Sequence, residues 1–307
     1  MYYFIVNPNS GNGKGLRNWN SILRYLNKKH IGYNAFLTAA PGEAGLKAAE
    51  LTRNGGEELT IIVVGGDGTV NEVINGLSMD ARPVIGIIPS GSGNDLAKSL
   101  KIPKNTKKCI KMILSSSPGC IDYGVVSYGS EENFNRRFII SSGIGFDAAV
   151  CHGLLDSKVK DALNRLHIGK TAYFIKGVKE FLLSSPVKGY IVLDGCKRVE
   201  FTNILFVSAH IMPYEGGGYM FAPCADCRDG KLEICVVSSG NRLKLIPSVF
   251  SAKHRPLGFK RGIRLYECRE AHIHTEQPLA VHADGESCKF QTDIYVRCVE
   301  RRLRFIY

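Results

Sequence analysis

The chain has 307 residues, 44% of them hydrophobic and 22% charged, with a mean hydropathy of −0.05. That length sets a prior of about two domains, and the composition excludes a disordered, collagen-like or multi-span membrane protein. A total of 40 Lys+Arg against 28 Asp+Glu leaves a net charge of +12, which favours phosphorylated ligands, anionic lipid surfaces or nucleic acid without choosing among them. The predicted elements start with a short apolar strand at 2–6, ended by Asn7-Pro8. Trp19, Ile22, Leu23 and Leu26 then recur at helical spacing, closed by Lys28, Lys29 and His30. Residues 33–37 read as a second strand and 44–51 as a second helix. A β-branched strand at 60–64 runs into Gly65-Gly66-Asp67-Gly68-Thr69, and Val70, Val73, Ile74 and Leu77 form the next helical stripe. A fourth strand at 84–88 ends in Pro89-Ser90-Gly91-Ser92-Gly93-Asn94-Asp95, before a helix through Leu96 and Leu100. This alternation predicts an α/β domain with an open parallel sheet and crossover helices.

After about Asp122 the texture changes. Strands are predicted at 138–141, 189–193, 204–209, 232–237, 263–266, 272–275 and 294–299, without helices between them. That pattern fits an antiparallel β-sandwich or barrel, interrupted by a helical insertion at about 156–183. The expected division is therefore 1–122 and 123–297, with 298–307 able to return to the first domain. Ten cysteines lie between Cys109 and Cys298, too sparse for a disulfide framework. Cys224 and Cys227 have zinc-like spacing but no second ligand pair, so reduced thiols are the simpler reading. The sequence does not open on a secretory leader, and no run approaches 18 apolar residues, so a cytoplasmic protein that does not span a bilayer is expected.

Three glycine-rich turns each follow a predicted strand and open a helix: Asn7-Pro8-Asn9-Ser10-Gly11-Asn12-Gly13-Lys14-Gly15, the segment around Asp67, and the segment ending at Asp95. In an open α/β sheet such turns gather at the carboxyl edge, where backbone N–H groups approach phosphate oxygens. Neither the P-loop nor the Rossmann glycine spacing is present. Asp67, flanked by glycines at a strand end, suits Mg²⁺ or a reacting hydroxyl better than it suits packing. Thr69 and Glu72 fit a capping box. His272 and His274 alternate on one strand face as surface histidines, and His282 is placed to orient the turn at Asp284.

Asn7-Pro8-Asn9-Ser10-Gly11, Gly65 through Glu72 and Pro89 through Ala97 together resemble the diacylglycerol kinase catalytic-domain family, which includes bacterial soluble lipid kinases and the sphingosine and ceramide kinases. The resemblance continues through Gly216-Gly217-Gly218, Ala222-Pro223, Asp229-Gly230-Lys231-Leu232 and Ala283-Asp284-Gly285-Glu286, in the family's order. It implies an ATP-dependent lipid phosphotransferase with nucleotide between an NAD kinase-like domain and a β-sandwich. By position, Asn7, Ser10 and Gly11 would form the first phosphate-side loop, and Thr38 would contact nucleotide. Gly65, Gly66, Asp67, Gly68, Thr69, Val70, Asn71 and Glu72 would wrap the phosphates, and Ser92 with Asn94 would close the site. Glu286 would stand where the family places its general base; for Asp67, that role and the catalytic Mg²⁺ both stay open. A structural Mg²⁺ is implied at Asp229, with backbone oxygens of Asp226 and Lys231.

The implied partners are ATP and a lipid substrate at a membrane surface, reached by peripheral contact with the anionic inner face. Apolar and basic residues of 156–180 resemble an interfacial helix, and Arg297, Arg301, Arg302 and Arg304 add a basic patch. No aromatic-basic motif supports nucleic acid. Diacylglycerol or a related lipid alcohol is the expected acceptor, and a homodimer is left open. The rival readings are a soluble-substrate kinase of the NAD kinase kind and a silent nucleotide- or lipid-binding protein.

Overall fold

The computed structural model describes residues 2–53, 59–129, 134–148, 187–238, 252 and 262–307. The predicted insertion at 156–183, with its interfacial helix, lies outside these residues.

Strands β1 (Tyr2–Val6), β2 (Tyr33–Leu37), β3 (Thr60–Gly65) and β4 (Val84–Pro89) pair in parallel in the order β2-β1-β3-β4. Helices α1 (Ser10–Lys28), α2 (Glu43–Thr52) and α3 (Asp67–Gly76) make the crossovers. Apart from Thr60 at the start of β3, the central strands β3 and β4 are apolar because helices cover both faces; Ile61, Ile62, Val63 and Val64 have no exposed surface. The stripe on α1 buries Trp19, Ile22 and Leu26 against this sheet. Each such side chain contributes about 1.5–3 kcal/mol. A short helix α4 (Asp95–Ser99) follows β4. The helix α5 (Thr106–Ser115) was not expected; its start is marked by Asn105, whose side chain accepts from Lys108 N–H, and it buries Cys109, Ile110 and Ile113.

The remaining strands are antiparallel: β5 (Gly119–Tyr128), β6 (Phe134–Phe138), β7 (Ser141–Gly145), β8 (Val187–Leu193), β9 (Lys197–His210), the short pair β10 (Tyr214–Glu215) and β11 (Tyr219–Met220), β12 (Leu232–Ser238), β13 (Ile263–Cys268), β14 (Glu270–Ala283) and β15 (Glu286–Ile306). Both β7 and β8 pair with β9 and with β14, so the ladder closes on itself. Asp122, near which the texture of the sequence changes, lies inside β5, which runs along β15. β15 is the longest strand, at 21 residues. It pairs with β14 at its start, and its last residues, Arg304–Ile306, lie parallel to β4. One strand therefore belongs to both sheet regions.

Two local expectations are corrected. The strand at 138–141 is broken at Ile139 and Ile140, whose amides donate to the Asp284 carboxylate rather than to a neighbouring strand. The Thr69–Glu72 capping box does not form, because α3 already begins at Asp67 behind an extended Gly66 and has no side-chain cap.

Candidate active site

The three glycine-rich turns meet at the carboxyl edge of the parallel sheet. In the first, Gly11, Asn12 and Gly13 are all left-handed (φ 57°, 55° and 78°), so the regular turns of α1 start after them. Ser10 Oγ lies 2.5 Å from Ser90 Oγ, and a Cβ on Gly11 would fall 2.0 Å from the Ser90 carbonyl oxygen. Only glycine tolerates both that approach and that backbone. Asn7 Nδ2 donates to Thr69 Oγ1 at 3.1 Å, joining the first turn to the second. A Cβ on Gly66 would stand 2.9 Å from Gly91 Cα, so the second and third turns also touch. Within the third, Asn94 pairs with both N–H and C=O of Gly91.

Acidic groups line this junction. Asp67 accepts N–H bonds from Asp95 (3.0 Å) and Leu96 (3.3 Å) at the start of α4. Burial, aided by the nearby Asp95 carboxylate, pushes Asp67 up to about 6 despite those two bonds. Asp95 Oδ2 accepts from Gly217 N–H at 2.7 Å, while its buried Oδ1 has no hydrogen-bond partner among the described residues. Burial also raises Asp95. Both carboxylates approach one point: a Cβ on Gly93 would lie 3.3 Å from Asp67 Oδ2 and 3.6 Å from Asp95 Oδ2. Two buried, mutually repelling acids with an unpaired oxygen are a donor set that a hard divalent cation fits.

The sandwich side supplies the rest. Ala283 faces Glu286 across a two-residue turn in which Asp284 and Gly285 both have positive φ (50° and 86°), the backbone of a tight twisted hairpin. That turn brings Glu286 Oε1 to within 3.5 Å of where a Cβ on Gly68 would sit. Asp284 itself is an anchor, accepting from the N–H groups of Ile139, Ile140 and Ser141 and from Asn71 Nδ2, all at 2.8–3.0 Å. A second tie comes from the Gly216-Gly217-Gly218 tip between β10 and β11, where Lys98 Nζ donates to the Gly218 carbonyl (3.1 Å) and lies over the Tyr214 ring.

The expected site residues are thus distributed unevenly. Asn7, Ser10, Gly11, Gly65, Gly66, Asp67, Gly68 and Thr69 are brought together, with Asn94 bracing its own loop and Ser92 exposed beside it. Val70 and Asn71 are 1% and 0% exposed, and Asn71 is tied to Asp284, Arg136 and Arg137. Glu72 is half-buried, and a Cβ on Gly45 would press on its carbonyl. Thr38 directly follows β2, and both its amide and its hydroxyl donate to the Val6 carbonyl. Asp226 pairs with Arg228, Asp229 accepts from Lys231 N–H, and beside them buried Asp122 accepts from Gly230 and Arg301 N–H. His272 and His274 both bond to Asp293 Oδ1 at 2.9 Å, as satisfied surface histidines do. The nine cysteines among the described residues are free, Cys224 and Cys227 included. Missed in the sequence were Asp95, visible only as the end of a glycine turn, and the carboxylates of Asp147 and Glu215, which cluster with His282 behind the Asp284 turn. Burial acts upward on Glu215, but hydrogen bonds from His282 and Ser141 help to outweigh it and hold the carboxyl down to about 2.

Comparison with known proteins bears on the family and the fold. The diacylglycerol kinase catalytic domain family matches residues 1–126, and the YegS C-terminal NAD kinase beta sandwich-like domain matches residues 148–306. The chain belongs to the diacylglycerol kinase catalytic-domain family. Among its relatives, YtlR of Bacillus subtilis is 28% identical over 290 residues, covering 93% of each chain. A diacylglycerol kinase of Mycobacterium tuberculosis is 27% identical over 298 residues, covering 94% of this chain and 90% of the relative. A crystal structure of a diacylglycerol kinase from Bacillus anthracis superposes with a TM-score of 0.75 at 24% identity, over 100% of this chain and 96% of that one. Yeast NADH kinase shares the fold more distantly, at a TM-score of 0.56 and 10% identity over 99% of this chain and 82% of that one.

Proposed function

We propose that this chain is an ATP-dependent lipid kinase that transfers the γ-phosphate of ATP to a lipid hydroxyl, with diacylglycerol or a related lipid alcohol as acceptor. The observation that carries the reading is the facing of Glu286 and Gly68 across the crevice, beside the paired carboxylates of Asp67 and Asp95. Phosphoryl transfer asks mainly for positioning and charge neutralisation, and the glycine turns offer main-chain amides for the triphosphate. Asp67 and Asp95 would hold Mg²⁺, which when bound neutralises phosphate charge. Glu286 would accept the proton of the lipid hydroxyl as its oxygen bonds to the γ-phosphorus and the bond to the ADP oxygen breaks. Asn7, Ser10 and Gly11 would form one wall of the phosphate site, and Ser92 its exposed rim. Asp229, with the backbone oxygens of Asp226 and Lys231, would hold a second, structural Mg²⁺ next to Asp122.

A bilayer-resident acceptor calls for peripheral contact with an anionic membrane, which the net charge of +12 supports. No helix among the described residues is long and apolar enough to cross a membrane. The free cysteines fit a reducing, cytoplasmic setting. The test is radiolabelled ATP with Mg²⁺ against a panel of lipids in mixed micelles, with NAD as the soluble control. Label in lipid but not in NAD is expected; label in NAD alone would replace this reading with a soluble-substrate kinase.

A further inference from the structure

Behind the Asp284-Gly285 turn lies a cluster of ionisable groups that the transfer itself does not use. His282, Asp147 and Glu215 place one ring nitrogen and two carboxylate oxygens within 4.8 Å of one another. Their side chains are only 1%, 11% and 12% exposed. Such a trio has the composition of a transition-metal site, but its hydrogen bonds have the opposite polarity. Gly285 N–H donates to His282 Nδ1 at 3.1 Å, so Nδ1 keeps its lone pair and the proton of the neutral ring sits on Nε2. Nε2 then aims an N–H at Asp147 Oδ2 (3.4 Å) and Glu215 Oε1 (3.3 Å). A metal-bound histidine does the reverse, offering a lone pair to the ion and donating from its other nitrogen.

We propose that His282 is a positioning residue for Glu286: its Nδ1 fixes the Gly285 amide of the turn that presents Glu286, and the carboxylates of Asp147 and Glu215 fix its tautomer. Glu215 lies two residues before Gly217, whose N–H binds Asp95. The His282–Glu215 contact therefore joins the Glu286 turn to the loop that holds Asp95, and sets the separation of the two acidic walls from behind. The proposal rests on Glu286 being the base, as read above.

The test compares the full-length wild type with His282→Asn, His282→Gln, Glu286→Gln and the His282→Gln/Glu286→Gln double variant, using diacylglycerol in mixed micelles and Mg-ATP. Asparagine puts a carbonyl oxygen where Nδ1 stands and can keep the Gly285 bond, whereas glutamine reaches the Nε2 position and leaves Gly285 unpaired. His282→Gln should lose about tenfold or more in kcat at unchanged KM for ATP, and His282→Asn should recover most of that loss. The double variant should be no more than about threefold slower than Glu286→Gln alone, because the two residues act as one unit. Nitrogen-15 spectra of the wild type should show His282 protonated at Nε2 and bare at Nδ1. Equal kcat losses in the two His282 variants, following melting temperature, would overturn the proposal. So would a bare Nε2, or a stoichiometric metal retained by the wild type and lost in His282→Gln. A crippled Glu286→Gln beside a fully active His282→Gln removes the positioning role alone, whereas a fully active Glu286→Gln removes the base assignment and the positioning claim with it.

Discussion

Asp67 carries an electrostatic cost in the crevice. Its carboxyl is raised from an ordinary 3.8 to about 6 by burial first and by Asp95 second. Because the raised value belongs to the folded state, the associated stability is fully present below about pH 4 and is lost as pH climbs through 6. A shift of that size corresponds to about 3 kcal/mol. The metal-free protein is therefore expected to melt at lower temperature as pH rises across that window. Calorimetry should show this component missing in Asp67→Asn and offset by saturating Mg²⁺ in the wild type; identical pH profiles with and without the substitution would refute the assignment. Asp67→Asn should also abolish phosphate transfer. Glu286→Gln should slow it by about 10²–10⁴-fold, the usual contribution of a general base. Asp67 stood out in the sequence as a glycine-flanked carboxylate that serves packing poorly, whereas Glu286 was picked out only through the resemblance to the family. Asp147 and Glu215 were not picked out, because no local pattern ties residues just after β7 and within β10 to His282 on β14, which the sequence linked only to the Asp284 turn.

At the scale of elements, loops and turns hold the site more than the strands do. Asp284 gathers four donors from two other segments. Replacing it with alanine leaves buried amides unpaired, at about 1–3 kcal/mol each. Asp284→Ala should lower the melting temperature and activity together, a pairing that thermal scans beside kinetic assays would separate from the Glu286→Gln pattern. Gly11→Ala forces a methyl group into the Ser90 carbonyl at a left-handed position. It should raise KM for ATP about tenfold, or about 1.4 kcal/mol, with a smaller effect on kcat. The parallel strands were legible because full burial makes them continuous apolar runs. The antiparallel ones were seen only in pieces: 272–275 and 294–299 are fragments of the 14-residue β14 and the 21-residue β15. Alternating polar residues on their exposed faces interrupt the apolar signal that period-based reading follows.

For the molecule as a whole, β15 is the decisive connection. It begins at Glu286 in the crevice, runs along β14 and β5, and ends on β4 of the parallel sheet. Deleting residues 301–307 should therefore uncover the edge of β4, and the shortened protein should lose solubility and melt earlier than the intact chain. Light scattering on the purified variants checks this, and an unchanged melting curve would show that the β4 contact is dispensable.

The pairing of Arg304 with Val84 has a further consequence during biosynthesis. A ribosome delivers β4 more than two hundred residues before its partner appears, so this half of the sheet stays open while the remainder is translated. Final closure is thus a late, long-range event of the kind that slows folding. Within a cell, that interval leaves a hydrophobic border for chaperones to shield.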